Sequence, residues 1–179
     1  MEVAPETFVL VGMRHDDWQR LLENPELSPR AESNFMLLRD PFEVTLLVEE
    51  SDWLAMRHAA RDARVETGFR LVTLGVELGW DVVGFLAHVA GILAGAGVPV
   101  GALSAFSRDH LLIRQDDLGK ALRVLGEMRK VVTATVTAAS RDERRDSTVL
   151  KERVRLDLKR FIQKQTGARP VIVPVVVQI

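Results

Sequence analysis

Four histidines, at positions 15, 58, 88 and 110, are the side chains best suited to metal binding or proton transfer at neutral pH. His15-Asp16-Asp17 and Asp109-His110 set carboxylates beside two of them, but no HxH or HExxH spacing occurs, so surface or core roles are expected and no metal is implied. His88 stands on an apolar stretch and reads as a core or interface residue. With no cysteine, thiolate sites, thiol catalysis and disulfides are excluded. Gly95-x-Gly97-x-x-x-Gly101 has the wrong spacing for a dinucleotide loop, and it follows a helix instead of opening one. Neither a serine nucleophile elbow nor a Walker loop is present. Asp81 precedes an apolar helix and is placed to cap it; Asp109 sits where an aspartate fixes a turn through its own backbone. No catalytic residue and no cofactor is expected.

The elements that position these residues centre on 69–118, read as strand, apolar helix, strand, turn, strand and the start of another helix. Residues 82–103 have about the length of a bilayer span. Gly95-Ala96-Gly97 followed by Val98-Pro99-Val100 breaks that run, so a core helix followed by a buried strand is the reading. Before it, 7–13 is a strand, 15–23 a helix, 34–38 and 43–48 a hairpin around Asp40-Pro41, and 51–64 a helix capped by Ser51 or Asp52. A strand at 69–78 opens the second half and one at 131–138 closes it. Residues 140–146 read as a charged linker, 147–165 as an amphipathic helix and 171–179 as an apolar strand whose Pro174 favours an edge.

Leu46-Leu47-Val48-Glu49-Glu50-Ser51-Asp52-Trp53 parallels Leu111-Leu112-Ile113-Arg114-Gln115-Asp116-Asp117-Leu118, each a strand end, a polar cap and a helix start. Two β-α-β-β-α units with antiparallel sheets are ferredoxin-like modules, and each is small enough that side-by-side association is expected. The chain has 179 residues, with 24 basic against 25 acidic, so no global field recruits nucleic acid or an anionic membrane. On the 151–164 helix, Glu152 and Asp157 interrupt the basic side, which reads as a solvated face. No secretory signal is visible at the N-terminus, and a cytoplasmic location is expected.

Residues 7–138 resemble the ACT domain, an amino-acid sensing module, and in particular the tandem ACT proteins related to the CASTOR arginine sensors. The resemblance is carried by Pro41-Phe42-Glu43-Val44-Thr45-Leu46, Gly79-Trp80-Asp81-Val82-Val83-Gly84-Phe85-Leu86, Gly97-Val98-Pro99-Val100 and Leu103-Ser104-Ala105-Phe106-Ser107-Arg108-Asp109-His110-Leu111-Leu112-Ile113. Ala105 departs from the hydroxyl residue that related sensors often have there. The resemblance implies an effector held where a loop-helix junction of one module faces a strand of its neighbour. That assigns ligand binding to Gly79, Asp81 and Val82 at the junction, Val98 on the next strand, and Phe106 and Asp109 in the following turn. The N–H groups of a helix N-terminus favour a carboxylate, and Asp109 could pair with an ammonium or guanidinium group.

Residues 154–179 are similar to the extreme C-terminus of ribonuclease J, without that nuclease's cluster of His and Asp metal ligands. The expected architecture is therefore α+β, with ferredoxin-like ACT modules at 1–66 and 67–139 and a ribonuclease-J-like helix-strand extension at 140–179. The expected function is non-catalytic regulation by a bound small amino acid or related metabolite, in a homodimer. Neither a membrane nor a nucleic acid is an expected partner. The alternative is a protein–protein assembly module without a metabolite, for which the tail offers a link to RNA metabolism.

Overall fold

The computed structural model describes residues 1–77 and 83–166, the last two by backbone alone. The chain divides into two compact units, one of residues 2–72 and one beginning at Thr73. In the first, β2 (Phe8–Met13), β3 (Met36–Arg39), β4 (Val44–Glu49) and β5 (Arg64–Thr73) are joined by α1 (His15–Leu22) and by α2 (Glu50–Met56) with the 3-10 turn Arg57–Ala59. The strand order β3-β4-β2-β5 is antiparallel throughout, and the short β1 (Glu2–Val3) pairs with β5. Alternation places Val9, Val11 and Met13 of β2 beside Val44, Leu46 and Val48 of β4, and this face buries Leu21, Trp53 and Met56 from the helices. Strand β5 begins five residues earlier than the expected 69–78 and ends at Thr73, because Gly68, at φ 76, forms a bulge that carries pairing with β2 past the apparent break.

In the second unit, α3 (Phe85–Gly95) is followed by β6 (Val100–Ser104) and β7 (Asp109–Arg114), an antiparallel hairpin with Val100 opposite Ile113 and Ser104 opposite Asp109. Helix α3 stops in a Schellman motif: the Gly97 N–H donates to the Ala94 carbonyl and the Val98 N–H to the Leu93 carbonyl, both at 2.9 Å, with Gly97 at φ 67. Among the described residues no helix is long and apolar enough to cross a membrane.

Residues 131–138 are not a strand. They continue α4, which runs unbroken from Gln115 to Ala138. Their β-branched side chains prefer strands, but Val124, Met128, Val131, Val132 and Val136 recur at helical spacing and pack with Ile92 against Val154, Leu158 and Ile162 of α6 (Ser147–Thr166). The Thr135 hydroxyl bonds the Val131 carbonyl, four residues back on the same helix, at 2.9 Å. The expected linker at 140–146 contains α5 (Arg141–Arg145), which opens on a capping box between Ser140 and Glu143. Residues 171–179, expected as a strand, lie outside the described residues.

Candidate functional site

Of the six residues assigned to ligand binding, Gly79, Asp81 and Val82 lie outside the described residues. The cap of α3 is not Asp81 but Gly84, in the left-handed conformation at φ 84 and with no side-chain bond to the first turn. The structure puts Val98 and the pair Phe106 and Asp109 at opposite ends of β6 and does not bring them together. Val98, 2 % exposed, seals the end of α3. Phe106, 88 % exposed, stands at the tip of the β6–β7 hairpin, which is closed by the Ala105 N–H on the Arg108 carbonyl at 2.9 Å. Asp109 accepts the Ser104 hydroxyl across the hairpin at 2.6 Å, so it braces the hairpin through a neighbouring side chain and not through its own backbone turn.

Two bonds tie this hairpin to the segment that leads into 78–82. The Leu74 N–H donates to the Asp109 carbonyl at 2.9 Å, and the Arg108 guanidinium pairs with Glu77. Asp109 is thereby fixed beside the chain that continues to Gly79 and Asp81. The histidines take structural parts: His15 bonds the Asp40 carbonyl at 2.8 Å and His110 the Thr73 hydroxyl at 3.0 Å. His88 is half-buried, and burial holds its pKa below the ordinary value. No group of three His, Asp or Glu that could hold a metal ion occurs among the described residues. On α6, Arg153, Arg155 and Arg160 pair with Glu143, Glu152 and Asp157, which neutralises much of its basic side.

A second polar cluster, not anticipated from the sequence, lies in the first unit. Arg30 Nε donates to Asp52 Oδ1 at 2.7 Å, and Arg30 Nη2 donates to Glu49 Oε2 at 3.0 Å and Ser51 Oγ at 2.9 Å. The Asn34 N–H completes Glu49 by donating to Oε1 at 3.1 Å. Asp52 is 6 % exposed and Glu49 7 %, so two buried carboxylates share one half-exposed guanidinium, whose pKa is raised chiefly by its hydrogen bond to Asp52. Neither Ser51 nor Asp52 caps α2, as had been expected; its first residue follows Glu49, which makes no side-chain cap bond. The signal in the sequence is an acidic residue ending the apolar run Leu46-Leu47-Val48-Glu49, which requires a partner once buried. That partner is 19 residues away and so invisible to local spacing. Asp52, Ser28, Ser51 and Met56 contribute to the wall of a cavity of about 220 Å³ beside this cluster.

Residues 64–127 match the ACT domain family model, and residues 118–179 match that of the ribonuclease J C-terminal domain. The second match begins well before the similarity seen at 154–179, and the two overlap within α4. The human protein named cytosolic arginine sensor for mTORC1 subunit 1 is 38% identical over 58 residues, 32% of this chain and 18% of that protein. The chain thus spans under a fifth of the length of the curated relatives it matches. Among solved structures, a protein of Agrobacterium tumefaciens is similar at TM-score 0.54 and 19% identity, over 68% of this chain and 82% of that one. The regulatory subunit of aspartate kinase from Thermus thermophilus is similar at TM-score 0.52 and 13% identity, over 70% and 94%. These likenesses are of fold, and with the antiparallel strand pairing they make this a ferredoxin-like α+β architecture.

Proposed function

Starting from the ACT domain at residues 64–127, we propose that this chain is a non-catalytic regulatory module that binds a small amino acid or related metabolite. The observation that carries the reading is the pair of bonds from the Leu74 N–H to the Asp109 carbonyl and from the Arg108 guanidinium to Glu77, which hold the Asp109 hairpin next to the segment entering Gly79, Asp81 and Val82. All six assigned ligand residues fall inside the ACT match. In this reading the ligand's ammonium or guanidinium pairs with Asp109, its carboxylate is held at the loop-helix junction to which Gly79, Asp81 and Val82 are assigned, and Phe106 covers it. Val98, at the other end of β6, supports the end of α3 and is left out of this site. A homodimer supplies the facing module, and the cytoplasm is the expected location. The relative named as an arginine sensor and the neighbour named as a regulatory subunit of aspartate kinase support an amino acid as ligand class.

Thermal unfolding against the twenty amino acids tests this. A ligand present at about 100 times its dissociation constant stabilises by roughly 2.7 kcal/mol. The expected result is a selective rise in Tm that disappears in Asp109→Ala; no shift with any amino acid sinks the reading.

The match to the ribonuclease J C-terminal domain favours a second reading, in which 118–179 is an assembly element linked to RNA metabolism. Because α6 shares a core with α3 and α4, removing 147–179 would strip that core, so the informative truncation ends at residue 166. Loss of the oligomer in the truncated chain, with ligand binding unchanged, is the outcome that favours assembly.

A further inference from the structure

We propose that the cavity beside Asp52 is a binding site for a small organic cation, a primary ammonium or guanidinium group on a short aliphatic stem. It lies wholly within residues 2–72 and does not depend on the amino-acid site assigned to residues 79–109.

The inference starts from an imbalance. Glu49 has both oxygens engaged, one by Arg30 and one by the Asn34 N–H. Asp52 has only Oδ1 engaged, by Arg30, while its Oδ2 is buried and meets no donor among the described residues. A buried carboxylate oxygen without a donor is costly, and structures rarely leave one in that state. The charge is unbalanced in the same sense: two buried carboxylates face a single guanidinium, and Glu26 on the cavity wall adds a third negative group.

The cavity wall defines the ligand. Asp52, Ser28 and Ser51 offer acceptor oxygens suited to the several N–H donors of an ammonium or guanidinium group. Leu27, Ala55 and Met56 offer an apolar surface for a few methylenes. Arg30 also lines the wall, but its guanidinium is taken up by Asp52, Glu49 and Ser51, so an anion would still meet Glu26 and Asp52; among the described residues the carboxylates here do not converge as a metal-holding group of three. Volume agrees: about 220 Å³ admits a head group and a short stem.

The test titrates butylammonium chloride and butylguanidinium chloride into the full chain and follows assigned amide resonances, with butyrate and tetramethylammonium as controls. The expected result is a saturable shift at the amides of 26–30 and 51–56 with at least one of the two cations and with neither control. Binding should weaken at least tenfold in Asp52→Asn. Because Asp52→Asn disturbs a buried network, Ala55→Trp serves as the second variant: Ala55 is exposed on the cavity wall, so the indole obstructs the site without removing a core contact. The proposal is overturned if neither cation shifts these amides saturably, if tetramethylammonium does so equally, or if natively folded Ala55→Trp binds as the parent does. Shifts confined to 83–109 would place the cations in the amino-acid site and equally overturn it. Failure of Asp109→Ala to alter amino-acid binding bears only on the other site.

Discussion

An offset of 65 residues carries β4 (Val44–Glu49) onto β7 (Asp109–Arg114) and the first residue of α2, Glu50, onto that of α4, Gln115. The same strand-to-helix junction is therefore built twice, and the side chains that fill it differ. At the first, Glu49 and Asp52 are buried around Arg30. At the second, Arg114 stands at the position of Glu49 and is exposed, and the helix that follows runs on for 24 residues to pack against α6. The hairpin tips differ too. Asp40 closes the first by accepting the Phe42 and Glu43 N–H groups at 2.7 and 2.9 Å, whereas its counterpart Ala105 can accept nothing through its side chain. Asp109 stands where the first unit has the buried Val44, so a carboxylate suited to a ligand exists at that place in the second unit alone. One fold thus carries a charged anchor in one unit and an apolar brace in the other.

The largest expected effect tests the apolar brace. Leu158→Ala removes a buried side chain from the cluster of Ile92, Val154 and Ile162, and such deletions cost about 2–5 kcal/mol. Hydrogen exchange read by residue should show the loss in β7, α4 and α6, with β2 and β4 keeping their protection. Equal loss everywhere would mean that the two units open as one, and the contrast would lose its energetic meaning.

Glu49→Ala tests the charged anchor. It takes an acceptor from the Asn34 N–H and a partner from Arg30; both residues are exposed, so water makes good part of the loss, and about 1.5 kcal/mol is expected for bonds to a charged group. Exchange should quicken in β3 and β4, a pattern opposite to that of Leu158→Ala. An unaltered unfolding midpoint would show that solvent replaces both bonds freely.

Local chemistry made part of this contrast legible in advance. Asp40-Pro41 announced the first hairpin and Gly97 the end of α3, because turn and cap residues act within a few positions of themselves. The strand expected at 131–138 went wrong for the opposite reason. Its valines and threonines favour a strand taken alone, and only the presence of α6 gives their helical spacing a partner. Arg30 escaped notice because its partners are 19 and 22 residues away and the intervening loop has no period to follow. The proposed amino-acid site was legible only through resemblance to a known family, since an aspartate beside a turn carries no ligand signature of its own.

Thr135→Val gives a smaller effect within the second unit. Thr135 is buried, and its hydroxyl lies 2.8 Å from Asp157 on α6 and 2.9 Å from the Val131 carbonyl. Valine keeps the shape and removes the oxygen, so a loss of about 1 kcal/mol is expected from denaturant unfolding. A gain in stability would show that the apolar packing of α4 on α6 suffices and that this polar bridge contributes nothing.

The smallest effect is a pH dependence, and it belongs to the second unit. The Nε2 of His88 is buried with no partner among the described residues, and burial holds the imidazole pKa below its ordinary 6.5. At pH 7.5 the ring is largely uncharged in both the folded and unfolded chain. As pH falls below 6.5 the unfolded chain takes up a proton that the folded chain resists, so the unfolded state binds more protons and stability declines. Stability from this group is therefore complete well above 6.5 and is lost progressively as pH falls through and below that value. Asp40, Glu143 and Glu152, all held low by hydrogen bonds, lose their contributions only below their ordinary values of 3.8 and 4.5, well clear of this window. His88→Leu should leave Tm at pH 7.5 little changed in its pH slope and flatten the decline just below 6.5, with the change confined to exchange rates in α3, α4 and α6. An undiminished slope in that variant would assign the acid sensitivity elsewhere and leave the second unit's interior without a titrating group of consequence.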